Sequence, residues 1–195
     1  MGLIAAVAVP ALYFGVQFAA APFYAGYSFS GQQASDLGTS ISMHPWIFNI
    51  GVLLAGLMAL PGAVGVYVVL CRGGNRLAAL LCGVTLAATG LMAIRAGLFP
   101  LPDPRHASWD SFLIILPMGA PALLLLAVWL QRGPVLLRIY LGVCVGLLVL
   151  VLANSIELAP GSRQRLLALA TILPYGVIGA HALWVRHQAL RTLGR

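Results

Sequence analysis

Apolar positions run along this chain in six stretches, near residues 3–22, 46–70, 77–99, 111–130, 138–157 and 165–185, with polar residues crowded into the breaks between them. Each stretch approaches the roughly 20 residues an α-helix needs to cross the hydrocarbon core of a bilayer. Gly74, Gly133 and Gly161 mark short connections, so neighbouring stretches are predicted to be antiparallel hairpins. The pattern predicts an all-α polytopic integral membrane protein: one compact bundle of six transmembrane helices spanning residues 1–195, with 23–45 as its long outer loop and no separate soluble domain.

Composition supports this. The chain is 61% hydrophobic and 8% charged, with a mean hydropathy of +0.99, whereas soluble domains carry about 25% charged residues. Lipid accepts an apolar exterior only when every backbone group is paired within helices or a closed barrel, and runs this long select helices.

Charge then orients the bundle. Arg72, Arg76, Arg132, Arg138, Arg186, Arg191 and Arg195 fall at alternate breaks and in the carboxyl tail, while Asp36, Asp103, Asp110 and Glu157 fall at the opposite ends. Basic residues favour the cytoplasmic side, so both termini are expected there. The formal charge of +7 is thus topological. Its arginines are dispersed at span ends without a recognition fold, which argues against nucleic acid as a partner. The amino-terminal run passes Pro10 and reaches Ala21, longer than a signal-peptide core, so it is expected to be retained as a span. Cys71, Cys82 and Cys144 cannot form a closed set of disulfides and are expected to be reduced, structural thiols.

Small residues within the spans, among them Gly56, Gly62, Gly65, Gly83 and Gly90, favour close helix approach. Gly142 and Gly146 form the shortest small-residue pair; packing inside the monomer is the expectation, and a homodimer is the alternative use of that face. Pro61, Pro117, Pro121 and Pro174 interrupt apolar helices and can kink them, with Pro117 and Pro121 shaping one face of the fourth. Aromatic residues of the outer loop, from Phe23 and Tyr24 to Trp46, suit the membrane interface.

Three motifs carry a family resemblance: Ser35-Asp36-Leu37-Gly38; His44-Pro45-Trp46-Ile47-Phe48-Asn49; and Gly97-Leu98-Phe99-Pro100 followed by Asp103 and His106. With the six spans included, the chain resembles over nearly its whole length a bacterial six-span membrane family known only as a domain of unknown function (DUF998-like). The first motif is also distantly similar to the start of the damage-regulated autophagy modulator family. The resemblance implies a multi-pass protein of the bacterial cytoplasmic membrane and transfers no activity.

The polar residues near the outer ends supply the candidate chemistry. Arg95 lies inside the third span and is expected to seek an acid, with Glu157 as its best partner; Asn154 and Asn49 complete this ligand or ion-pair group. His106 and Asp110 share a helix face if the fourth helix begins by residue 106, and Asp110 can then orient His106 as a general base, with His44 contributing from another segment. The same residues with Asp103, namely His44, His106, Asp103 and Asp110, are the candidate ligands of a divalent metal, the one cofactor the sequence suggests, although no H-E-x-x-H or C-x-x-C spacing is present. If Ser108 caps that helix instead, His106 is a loop anchor. Ser35, Ser40 and Ser42 lie near His44 in sequence, which supplies no catalytic geometry, and His181 deep in the sixth span is expected to be a core residue.

Without a specific catalytic motif, the leading expectation is a membrane-embedded sensor, scaffold or accessory protein in contact with membrane lipids or a membrane-protein partner. A lipid-interface hydrolase or transferase built on His106 and Asp110 is the first alternative, and a small-molecule transporter the second.

Overall fold

A computed structural model describes residues 1–106, 109–130, 133–153 and 157–193; of residues 109–117, 152 and 193 only the backbone is described. The chain is helical: α1 Gly2–Ala20, α2 Pro45–Arg72, α3 Arg76–Leu98, α4 Trp109–Trp129, α5 Val135–Leu152, α6 Pro160–Thr171 and α7 Leu173–Leu193, with short 3₁₀ turns at Ala21–Phe23 and Ala34–Gly38. Among the described residues four helical stretches are long and apolar enough to cross a membrane: Gly2–Phe23, Pro45–Arg72, Arg76–Leu98 and Pro160–Thr192. Met118–Trp129 and Val135–Val151 are shorter apolar helices. The protein is therefore an all-α, multi-pass membrane protein.

Each helix packs on its sequence neighbours, and α7 returns to lie against α1, so the bundle closes as a ring. Short turns enforce this order. Asn75 starts α3 by accepting the Ala78 N–H at 3.0 Å, a helix-initiating role suited to its short polar side chain. Just before it, Gly74 turns the chain at φ +84°, a left-handed conformation that glycine adopts without steric cost.

The closest seam joins α2 and α3. A Cβ placed on Gly56 would lie 2.6 Å from Gly90 O and 2.7 Å from Ile94 N; one on Gly97 would lie 2.6 Å from Asn49 O. Gly83, Gly90 and Gly97 recur every seventh residue, keeping one face of α3 bare along the seam. By contrast, a Cβ on Gly142 or Gly146 would meet nothing within 4 Å among the described residues. Among these residues that pair has no packing partner inside the monomer, against the sequence expectation.

The prolines also divide. Helices α2 and α4 continue through Pro61, Pro117 and Pro121, because a missing N–H costs one helical hydrogen bond that packing can offset. Only the final span breaks: α6 stops at Thr171, Ile172 forms a turn, and Pro174 lies in the first turn of α7. The stretch expected at 165–185 is thus two helical pieces, and it begins earlier, at Pro160.

One buried cluster, including Leu70, Leu86, Leu126, Leu148, Tyr175 and Ile178, fills the bundle, and a smaller one of Ala20, Ala34, Leu37, Phe48 and Val52 sits at the outer-loop end. Leu54, Leu57, Leu80, Leu91, Val143 and Val149 are exposed on the outside, the surface that lipid solvates without penalty.

Candidate functional site

The outer loop is a folded cap. Its 3₁₀ turn at Ala34–Gly38 is closed by Asp36, whose Oδ2 accepts the Gln33 N–H at 2.8 Å. Leu37 then packs with Phe48 and Val52 of α2, and Asn49 Nδ2 donates to Gly38 O at 3.0 Å. The two outer-loop motifs singled out in the sequence therefore meet, and their meeting explains the glycine: a Cβ on Gly38 would stand 2.1 Å from Asn49 Oδ1. Asn49→Ala is expected to cost about 1 kcal/mol from the lost bond. Gly38→Ala should cost less in that background than in the native one. Thermal unfolding of the four proteins of this cycle measures the coupling.

The first turns of α6 hold the cap from the other side. Gln164 Oε1 accepts the Ala34 N–H at 2.6 Å, and the Ser162 N–H reaches Ser30 O at 2.9 Å. Arg165 donates from one guanidinium nitrogen to Phe29 O, to Gln32 O at 2.9 Å and to Gly161 O at 3.1 Å, and from the other to the Tyr27 hydroxyl. Its guanidinium also lies 4.9 Å from the centre of the Phe29 ring. The planar, multi-donor head of arginine fits such a cluster of carbonyls and rings.

The segment after α3 forms a second, self-tied turn. Asp103 takes two bonds from the Arg105 side chain, Nε to Oδ1 at 3.0 Å and a terminal nitrogen to Oδ2 at 2.7 Å, and one from its backbone N–H at 2.8 Å. Arg105 lies 4.0 Å over the Phe99 ring. His106 Nδ1 is 2.7 Å from Phe99 O; a carbonyl can only accept, so Nδ1 carries the proton and Nε2 is left as an acceptor. The bonds from Arg105 hold the Asp103 carboxyl down at about 2. A lowered folded-state value means the link is complete above the ordinary carboxylate range and is lost as pH falls through about 2. A ¹³C NMR titration of Asp103 is expected to show that midpoint.

Between the cap and this turn lies a cavity with about 90 Å³ open to the centres of water-sized molecules. Its polar lining comes from Tyr13, Gln33, Ser35, Thr89, His106, Gln164 and Thr171, the rest being apolar, with Ile172 of the helix break among the lining residues. Thr89 and Thr171 donate their hydroxyl protons back to Thr85 O at 2.8 Å and Leu167 O at 2.7 Å. Their oxygens therefore remain as acceptors. Gln164 has its carbonyl engaged by Ala34 and keeps its NH₂ as a donor. No arginine or carboxylate lines the cavity among the described residues.

The expected sites are redistributed. Arg95 does not pair with Glu157: its Nε donates to Arg105 O, Glu157 is exposed beyond α5, and the one ion pair among the described residues joins Arg105 to Asp103. The physical reason is the ring order, in which α4 stands between α3 and α5 while the carbonyl of the adjoining turn is near. His106 precedes α4, which starts at Trp109, so no shared helix face with Asp110 arises; the side chain of Asp110, and Asn154, lie outside the described residues. His44 packs against Phe23 at 4.8 Å and Trp46 at 6.3 Å between ring centroids, and does not line the cavity that His106 lines. Among the described residues no three His, Cys, Asp or Glu side chains gather to hold a metal ion; of the four expected ligands, Asp110 has its side chain outside the described residues. Asn49 serves the cap. Sequence reading missed Gln164 and Arg165, although a Pro-Gly start followed by Arg-Gln-Arg at an outer helix end was the available signal.

The profile of a family described as a protein of unknown function (DUF998) matches residues 6–181. No curated protein and no solved structure matches the chain, so the likeness to autophagy modulators finds no counterpart.

Proposed function

The chain belongs to the DUF998 family, and from that premise we propose a six-span ligand-binding membrane protein of the sensor or accessory class. Its ligand is a small, uncharged amphipathic molecule held beneath the outer cap. The observation that carries this is the cavity itself: apolar walls, a few convergent hydrogen-bonding groups and, among the described residues, no arginine or carboxylate lining it. Such sites select by shape and hydrogen bonds, and a bare anion entering this one would give up hydration without a cationic partner.

Thermal unfolding in neutral detergent with monocaprin and with decanoate, which share a chain length and differ in charge, tests the reading. Monocaprin at a hundredfold excess over its dissociation constant should stabilise by about 2.7 kcal/mol; decanoate should not. Ala93→Leu, which fills the cavity wall, should remove the response. Equal effects of the two compounds, or a response retained in Ala93→Leu, would sink the proposal.

One observation favours the hydrolase reading in second place: Ser35 and His106 line the same cavity, with His106 Nε2 free to accept a proton. Labelling by a fluorophosphonate that is lost in both Ser35→Ala and His106→Ala would support it. For a transporter, the buried cluster that fills the bundle, with Val9, Ala59, Tyr175 and Ile178 among its members, is an obstacle.

The six-span count, with both termini cytoplasmic, draws on the seven of eleven arginines that fall at one set of span ends, where no acidic residue lies, and on α4 and α5 as the two remaining apolar helices. Cysteines placed at exposed Ser40 and Arg191 are expected to react with an impermeant maleimide from opposite faces of the membrane.

A further inference from the structure

At the arginine-rich end, remote from the cavity just described, a wider groove of about 960 Å³ lies between α1, α2 and α7, with Trp129 of α4 at its edge. Arg72 enters it from the last turn of α2, and His181 and Arg186 from α7. Both arginines are exposed, and neither has a hydrogen bond or ion pair within the chain among the described residues. No carboxylate lines the groove among the described residues, and every acidic residue of the chain is placed by the sequence at the other ends of the spans. Beside these cations the wall is apolar and outward-facing: Val64 is 62% and Val185 47% exposed.

We propose that this groove binds an anionic phospholipid, its phosphate between Arg72 and Arg186 and its acyl chain along Val64 and Val185. Two uncompensated guanidinium groups explain the need for an anion, and a basic pocket between membrane helices is where lipid phosphates dock. The adjoining apolar wall favours a lipid over free phosphate, because a phosphate ion leaves that surface unused. An indole at the edge of the groove suits the headgroup level.

The test uses the full chain in neutral detergent, with native mass spectrometry counting bound dioctanoyl phosphatidylglycerol, dioctanoyl phosphatidylcholine or inorganic phosphate. Phosphatidylglycerol is expected to bind more tightly than phosphatidylcholine, and each of Arg72→Gln and Arg186→Gln to weaken it about fivefold. Arg76→Gln and Arg191→Gln, which alter arginines outside the groove, should leave binding unchanged. Equal binding of the two lipids, phosphate binding as tight as the lipid's, or equal weakening by the outside pair would overturn the proposal. Should a groove variant fail to fold, the unmodified chain decides by titration with salt: affinity for phosphatidylglycerol should fall as ionic strength rises while that for phosphatidylcholine holds. An unchanged phosphatidylglycerol affinity would again overturn it.

Discussion

Replacing Arg165 with methionine is expected to release the outer cap and lower the unfolding free energy by about 3 kcal/mol, since charge-assisted hydrogen bonds contribute about 1.5–3 kcal/mol each. The figure is well below the sum of the bonds lost because Phe29 and Gln32 can turn their carbonyls to water once the loop lifts, while Gly161 stays in the first turn of α6. Methionine keeps the length and apolar character of the stem, so the loss reports the guanidinium. Lysine should recover less than half, as an ammonium cannot present separate nitrogens to the carbonyls and the Tyr27 hydroxyl while lying flat on Phe29. Hydrogen exchange provides the sharper measurement: amides of residues 27–38 should lose protection while the α2–α3 seam keeps it. Uniform loss across both regions would show that Arg165 supports the whole bundle and not the cap.

Gly56→Leu or Gly90→Leu should be at least as damaging, at about 3 kcal/mol or more. Overpacking a core costs about 1–3 kcal/mol when side chains can shift, but here the new atoms meet main chain: Gly90 O and Ile94 N for Gly56, Gly56 O for Gly90. Helices must separate, and separation forfeits contacts along the seam that Gly83, Gly90 and Gly97 keep bare. Gly142→Leu is the matched control, equal in helix propensity change and facing open space. Melting temperatures in the same detergent should fall steeply for the first two and hardly at all for the third. A Gly142→Leu loss as large as theirs would mean that its face is covered by a second molecule in solution.

The helices themselves were legible because hydrophobic length is a local property: residues 46–70 and 77–99 announced α2 and α3 to within two residues. Breaks were less so. Pro61 and Pro174 read alike in sequence, yet only the second coincides with a break, since what decides is whether neighbouring segments pack the helix straight. Arg95 was assigned to Glu157 on the assumption that oppositely charged residues at one boundary meet, whereas ring order separates their helices. His106 was read as part of a polar group, but the residues that share its cavity were not: Gln164 and Ser35 are brought to the same cavity by tertiary packing that no spacing encodes. The glycine pair at 142 and 146 shows the same limit, since a small residue signals the capacity for close approach and not its use.

The bond from Ala34 to Gln164 joins residues 130 apart in the chain, which sets the order of events during biogenesis. At about 5–20 residues per second of synthesis, the outer loop exists for roughly 7–26 s before its fastening is made. Through that interval the carbonyls of Phe29 and Gln32 wait hydrated, and only synthesis of α6 can close the cap. The final span is thus a checkpoint as well as a wall: a chain released before α6 would carry every element of the cap except the part that shuts it, leaving a quality-control protease an open loop to recognise.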